Sequence, residues 1–186
     1  MRDLTPCDLE WIENAPQVAR ISEHITAPPA QVFAAFADAS TWPRWFPLMT
    51  GARWLDAAGG PAGGGVGRER EVTLRGFGTF RERFLAFDEP SRFAFTVIAS
   101  SSAMMKRFGE DYRLTAEGNG TRFEWIMGAE AAGIGKLVAP GMKLFMQRLL
   151  RRAARNVNRY LAEHPAPVAA PAQRTTTYEK PATSSK

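Results

Sequence analysis

The 186-residue chain contains one cysteine and two histidines. A single thiol closes no internal disulfide, and with His24 and His164 as the only imidazoles the Cys/His zinc patterns are excluded. No metal or cofactor is expected. The same scarcity leaves no Ser-His-Asp or Cys-His nucleophilic set to assemble. No apolar run reaches the ~18 residues of a membrane span. The opening MRDLTPCDLEWIENAPQ carries acids early and has no apolar stretch of the secretory kind, so a cytoplasmic location is expected. The glycine-rich AAGGPAGGGVG at 57–67 lacks the Lys-Ser/Thr ending of a phosphate loop and precedes a strand rather than a helix. It reads as a hairpin connection.

What is present is enough for a core. Hydrophobic residues make up 45% of the chain and charged residues 23%, which excludes a wholly disordered protein. The net charge of +5 is unevenly placed. Between Lys136 and Leu161 there are seven basic residues (Lys136, Lys143, Arg148, Arg151, Arg152, Arg155 and Arg159) and no acid. From residue 163 onward proline, alanine, serine and threonine dominate, which predicts a disordered tail at 163–186. Residues 1–16 form an N-terminal extension in which Leu9, Trp11 and Ile12 are apolar enough to dock, and Cys7 is expected outside the fold.

Between these ends, at 17–162, periodicity sets the order of elements. Residues 17–26 alternate as a strand, with Ala19, Ile21, Glu23 and Ile25 on one face and His24 on the other. Thr26 followed by Pro28-Pro29 predicts a helix start with a hydroxyl cap. Ser40 or Thr41 caps a second short helix that gathers Trp42, Trp45 and Phe46. Strands follow at about 51–56, 66–75, 79–88, 92–99, 107–116 and 121–130. Glu117-Gly118-Asn119-Gly120 is the strongest hairpin signal. Phe123, Trp125 and Met127 share one face of the last strand, the half-buried antiparallel pattern. A long helix over 140–161, with Pro140 in its first turn, carries an apolar stripe of Met142, Met146, Leu149, Ala153, Val157 and Tyr160. Its opposite side carries Arg148, Arg151, Arg152, Arg155 and Arg159.

ISEHITAPPAQVFAAFADASTWPRWFP at 21–47, the Val66-Gly67-Arg68 strand start, FLAFDEPSRFAFTV at 84–97 and YRLTAEGNGTRFEWIM at 112–127 resemble the SRPBCC superfamily, also called START-like or Bet v 1-like. Within it they resemble the polyketide cyclase/dehydrase and lipid-transport branch. Asp38, Trp42 and Trp45 match its helical segment after the first strand. The resemblance implies an α+β helix-grip fold: a curved seven-stranded antiparallel sheet wrapped around a long C-terminal helix, two short helices after strand one, and an apolar cavity between sheet and helix. It implies nothing shared about catalysis, because fold alone does not decide activity.

The inward parity nominates a ligand-binding lining of Trp45, Phe46, Met49, Phe95, Phe108, Tyr112, Phe123, Trp125 and Met127, joined from the helix by Met142, Phe145, Met146 and Leu149. Phe93 and Val97 share that parity. The occupant is then a hydrophobic small molecule (lipid, quinone or polyketide-like), and a sheet–helix space filled solidly, with no cavity of about 300 Å³ or above, would overturn the reading. If Tyr112 and Leu114 face inward, Glu110 does too. A carboxyl there has a raised pKa and suits acid–base work, so Glu110 and Tyr112 are the catalytic candidates for a cyclase or dehydratase. The alternative is that Glu110 pairs with Arg68, Arg70 or Arg107. The arginine face allows a third reading, contact with an anionic membrane surface, a ribosome or RNA, or simply a solvated helix. Aromatics are not interleaved with these arginines, so no specific DNA binding is expected.

Overall fold

The computed structural model describes residues 1–55, 65–133 and 135–165, with the backbone alone for 136–140 and 143. The glycine-rich connection, apart from Gly65 to Gly67, and the tail from 166 onward lie outside the described residues.

The chain opens with a two-residue strand β1 (Arg2–Asp3) and a short helix α1 (Leu9–Asn14), whose N-cap Asp8 accepts a hydrogen bond from the Trp11 amide at 2.8 Å. Strand β2 (Gln17–Ile25) follows, burying Ala19, Ile21 and Ile25. Helix α2 (Pro29–Ala37) starts on two prolines without a side-chain cap. The expected cap, Thr26, instead donates its amide and hydroxyl to Asn158 Oδ1 at 3.0 and 2.9 Å. The intervening prolines carry the first turn beyond its reach, and it ties the strand end to the last helix. Asp38 accepts from the Ser40 amide at 2.9 Å and starts a 3-10 turn over Ala39–Thr41, and Thr41 then stands at the N-cap position of the next helix without a side-chain cap bond. Helix α3 (Trp42–Trp45) continues from it.

The remaining strands are β3 (Met49–Trp54), β4 (Glu69–Leu74), β5 (Gly78–Asp88), β6 (Arg92–Ser100), β7 (Met105–Glu117) and β8 (Gly120–Ala131). The sheet runs β2-β8-β7-β6-β5-β4-β3, all antiparallel. Seven strands form this path, as expected, and β1 adds an eighth pairing off β6. Strands β6 and β7 pair only from Arg92 to Thr96 and then part. The N-terminus enters that fork: Arg2 and Asp3 pair with Ser100 and Ala99, and the Leu4 and Thr5 amides donate to Ile98 and Lys106 carbonyls.

Helix α4 (Gly135–Glu163) is gripped by the sheet and buries Leu149, Leu150, Ala153, Ala154, Val157 and Leu161. It begins five residues earlier than expected, so Pro140 lies inside it. At Gly135 the backbone comes so close to the Met104 carbonyl that any β-carbon would collide, and the helix starts where glycine allows that approach.

The outer face of the sheet corrects a further expectation. Cys7 is part of the fold: with Ile12 and Ile126 it forms a small apolar cluster on that face. Its amide and thiol donate to Thr96 Oγ1 at 2.9 and 3.2 Å. Beneath it lie Gly109 and Gly128, directly opposite each other on β7 and β8. A β-carbon on Gly109 would stand 2.6 Å from Cys7 Sγ, and one on Gly128 2.6 Å from the Ile12 carbonyl. Two bare positions make the slot into which α1 fits.

Candidate functional site

Between the inner sheet face, α3 and the first half of α4 lies a cavity of about 150 Å³, partly open to solvent and overwhelmingly apolar in its walls. Its volume is half the lower bound set from the sequence. The reason is visible at one end, where α2 and α3 push aromatic side chains under the helix. Phe36 packs against Trp42, Trp45, Phe93, Tyr112 and Phe123 with ring centroids 5.2–6.2 Å apart.

Of the nominated lining, Phe46, Met49, Phe95, Phe108, Tyr112, Met127, Met142, Met146 and Leu149 border the cavity. Trp45, Phe123 and Trp125 do not. They are buried in the solid aromatic end, at the right parity but the wrong depth. Phe145 is 43% exposed and stacks on Phe77 from outside. Val97 borders the cavity and Phe93 is core. The nomination missed Trp42, Leu74, Phe77, Phe80, Met104 and Met105. It also missed a pair of charges.

Arg70 and Glu82 sit opposite each other on β4 and β5, 0% and 4% exposed. Arg70 Nε donates to Glu82 Oε2 at 2.8 Å, and its Nη2 lies 2.7 Å from the same oxygen. Five aromatic rings surround the guanidinium, the nearest that of Trp42 at 4.3 Å from its centroid. Such faces favour a cation. The signal was in the sequence: period two from Val72 puts Arg70 inside, and period two from Phe80 and Phe84 puts Glu82 inside. Arg70 therefore partners Glu82, not Glu110.

Glu110 faces inward and is buried. The Tyr112 hydroxyl and Trp125 Nε1, the latter at 3.0 Å, both donate to its Oε2. Burial pushes its pKa up to about 7, and the Glu82 charge pushes the same way, against those two hydrogen bonds and the pull of Arg70. Burial likewise raises Glu82 against the opposing pull of Arg70. Tyr112 is held well above its ordinary value, first by burial and then by the Glu110 charge. The floor of the cavity therefore holds a carboxyl that exchanges a proton near neutrality, beside a tyrosine that keeps its own.

Outside the cavity, His24 is exposed and lies 3.2 Å from Glu117. Arg148, Arg151, Arg152, Arg155 and Arg159 are all exposed, and Arg151 approaches Glu23 at 3.7 Å. Among the described residues no group of three or more His, Cys, Asp or Glu side chains could hold a metal. No helix among them is long and apolar enough to cross a membrane.

Comparison with known proteins places this arrangement. A START superfamily protein from Mycobacterium smegmatis superposes with a TM-score of 0.66 at 12% identity, covering 78% of this chain and 97% of that one. A Thermus thermophilus protein superposes at 0.63 and 15% identity, covering 81% of this chain and all of that one. At such identities the likeness shows the fold. An uncharacterized protein of Mycobacterium tuberculosis is 32% identical over 158 residues, which are 83% of this chain and 92% of the relative. The family model described as polyketide cyclase / dehydrase and lipid transport matches residues 16–162. With that match spanning the sheet, the cavity and nearly all of α4, the chain belongs to the polyketide cyclase/dehydrase and lipid transport family.

Proposed function

We propose that the protein binds a hydrophobic small molecule in the cavity between the sheet and α4. The observation that supports it is the unfilled apolar space itself, in a protein whose other end is packed solid. Its size limits the occupant. An apolar cavity of about 150 Å³ holds a single benzene-sized ring. A lipid, quinone or polyketide enters whole only if the first half of α4 moves. That boundary is built to yield: Met104, Met105, Met142 and Met146 line it, and thioether side chains repack easily. Native mass spectrometry of the purified protein, followed by organic extraction, tests the reading. A stoichiometric apolar ligand supports it. A protein that carries none and takes up none from a panel of ring compounds, lipids and quinones overturns it.

A second reading has its own support, the inward position of Glu110. A carboxyl that protonates near pH 7 beside Tyr112 suits acid–base chemistry on a polyketide-like substrate, as in a cyclase or dehydratase. Here Glu110→Gln abolishes turnover and leaves binding intact. Loss of both together would count against it. The arginine face looks as any solvated helix face does and favours no reading of its own.

A further inference from the structure

Donors and acceptors on the cavity floor are not equally within an occupant's reach. Arg70 directs Nε and Nη2 to one oxygen of Glu82, Oε2. Tyr112 and Trp125 both donate to one oxygen of Glu110, again Oε2. The second oxygen, Oε1, of each carboxyl has no hydrogen-bond partner among the described residues. Both residues line the cavity and both are more than nine-tenths buried. Arg70 Nη1 and Nη2 also lack a hydrogen-bond acceptor, Nη2 meeting Glu82 only as an ion pair, but both nitrogens are fully buried among the five rings. What the floor offers an occupant is therefore acceptor oxygen. An acceptor oxygen left without a partner at the wall of an apolar cavity is costly, and a ligand that supplies the missing donor removes that cost.

The charge count points the same way. With Glu110 ionised, the floor holds two carboxylates against one guanidinium. The groups around Glu110 are Tyr112 on its own strand, Trp125 on β8, Glu82 on β5 and Arg70 on β4. Helix α4 brings only Met142, Met146 and Leu149 to the cavity among its described side chains, and no charge.

We propose that the floor is a head-group subsite for a hydrogen-bond donor: the ligand is a compact apolar molecule whose single O–H or N–H group donates to Oε1 of Glu110, with Glu82 as the neighbouring acceptor. This rests on the cavity-binding reading above. Hydroxyl and ammonium head groups share the chemistry and differ in charge.

The test uses four probes of one ring each, toluene, benzyl alcohol, benzylamine and benzaldehyde, titrated into the full chain at pH 6 and pH 8 with amide NMR shifts as the readout. Toluene reports the cavity alone. Benzaldehyde is close in size and polarity to benzyl alcohol but only accepts. At pH 8 a donor probe is expected to bind about tenfold or more tightly than benzaldehyde, the scale of one hydrogen bond to a charged group. An advantage confined to benzylamine and growing from pH 6 to pH 8 assigns an ammonium. One held by benzyl alcohol assigns a hydroxyl. Glu110→Gln erases the advantage and keeps toluene binding. If toluene binds but benzaldehyde equals both donors, or the advantage survives in Glu110→Gln, the donor subsite is wrong and the cavity reading stands. If no probe binds, toluene included, both fall.

Discussion

The same sheet and the same helix enclose two unlike regions. At the end covered by α2 and α3, Phe33, Phe36, Phe93, Phe123 and Trp125 interlock, each 2% exposed or less. At the other end Val97, Met104, Met105, Met127, Met142 and Met146 border open space. The difference lies in what reaches under the helix. The chain between β2 and β3 inserts two short helices whose rings fill the gap, and their indoles are pinned: Trp42 Nε1 donates to the Phe36 carbonyl at 2.9 Å and Trp45 Nε1 to Thr41 Oγ1 at 3.1 Å. The other end receives no such insertion. One end is packed solid, and the other is left open.

Substitution in the solid end has the largest expected effect. Phe93 is fully buried and packs edge-on against Phe33, Phe84 and Tyr112. Phe93→Ala removes a ring that nothing mobile replaces, and about 3–5 kcal/mol of stability should go with it in urea denaturation. A loss below about 1 kcal/mol would mean this end is as yielding as the cavity.

Much of this contrast was legible beforehand, and the exceptions have physical causes. Alternation placed the strands, and period two put Glu110 inside. The turn at 117–120 fixed the β7–β8 register, which matches Tyr112 with Trp125. Parity reports which face a side chain takes but not how far along the helix axis it lies, so Trp45, Phe123 and Trp125 were nominated for a cavity that stops short of them. β5 carries two apolar sets of opposite parity, Phe80/Phe84 and Leu85/Phe87. Phe80, Glu82 and Phe84 are buried on one parity and Leu85 joins the outer cluster, yet Phe87 also packs against the core, beyond the register shift at Phe84/Ala86. Bulges of that kind leave no periodic trace. Cys7 was unreadable for another reason: its burial depends on Gly109 and Gly128 being opposite each other across two strands.

The polar floor marks the boundary between the two regions, and pH separates its contribution from the rest. Glu110 holds its proton up to about pH 7 when folded, against 4.5 for a free carboxyl. The folded chain thus binds more protons than the unfolded chain between those values. The stability associated with neutral Glu110 is complete below pH 4.5, falls as pH rises to 7, and is level above. The loss is on the order of 3 kcal/mol. Glu110→Gln does not titrate, so its stability relative to the parent should rise by that amount between pH 4.5 and 7.5. A difference that stays flat with pH would show that Glu110 ionises freely and that the floor is wet.

The outer face offers a third packing regime, tighter than either end of the core. Gly128→Ala sets a methyl against the Ile12 backbone, which cannot rotate away. Overpacking of this sort costs about 1–3 kcal/mol. The loss should be local. Helix α1 lifts, and Cys7, whose thiol burial pushes up in pKa, becomes reactive toward a thiol reagent. Unchanged thiol reactivity in Gly128→Ala would mean that Cys7 is protected by its bond to Thr96 rather than by α1.

The smallest effect on stability belongs to the open end, where it also tells the most. Met146 is half-buried on α4 and already borders empty space. Met146→Ala enlarges a cavity that exists instead of creating one, so the term that dominates in Phe93→Ala is largely absent, and about 1 kcal/mol is expected. Ligand size should respond where stability does not. The variant ought to admit a two-ring probe such as naphthalene at the expense of toluene, read by the same amide shifts. If Met146→Ala instead costs as much as Phe93→Ala and binds neither probe better, the thioethers are structural filler. The two ends of the grip would then differ only in how completely they are packed, not in what they are for.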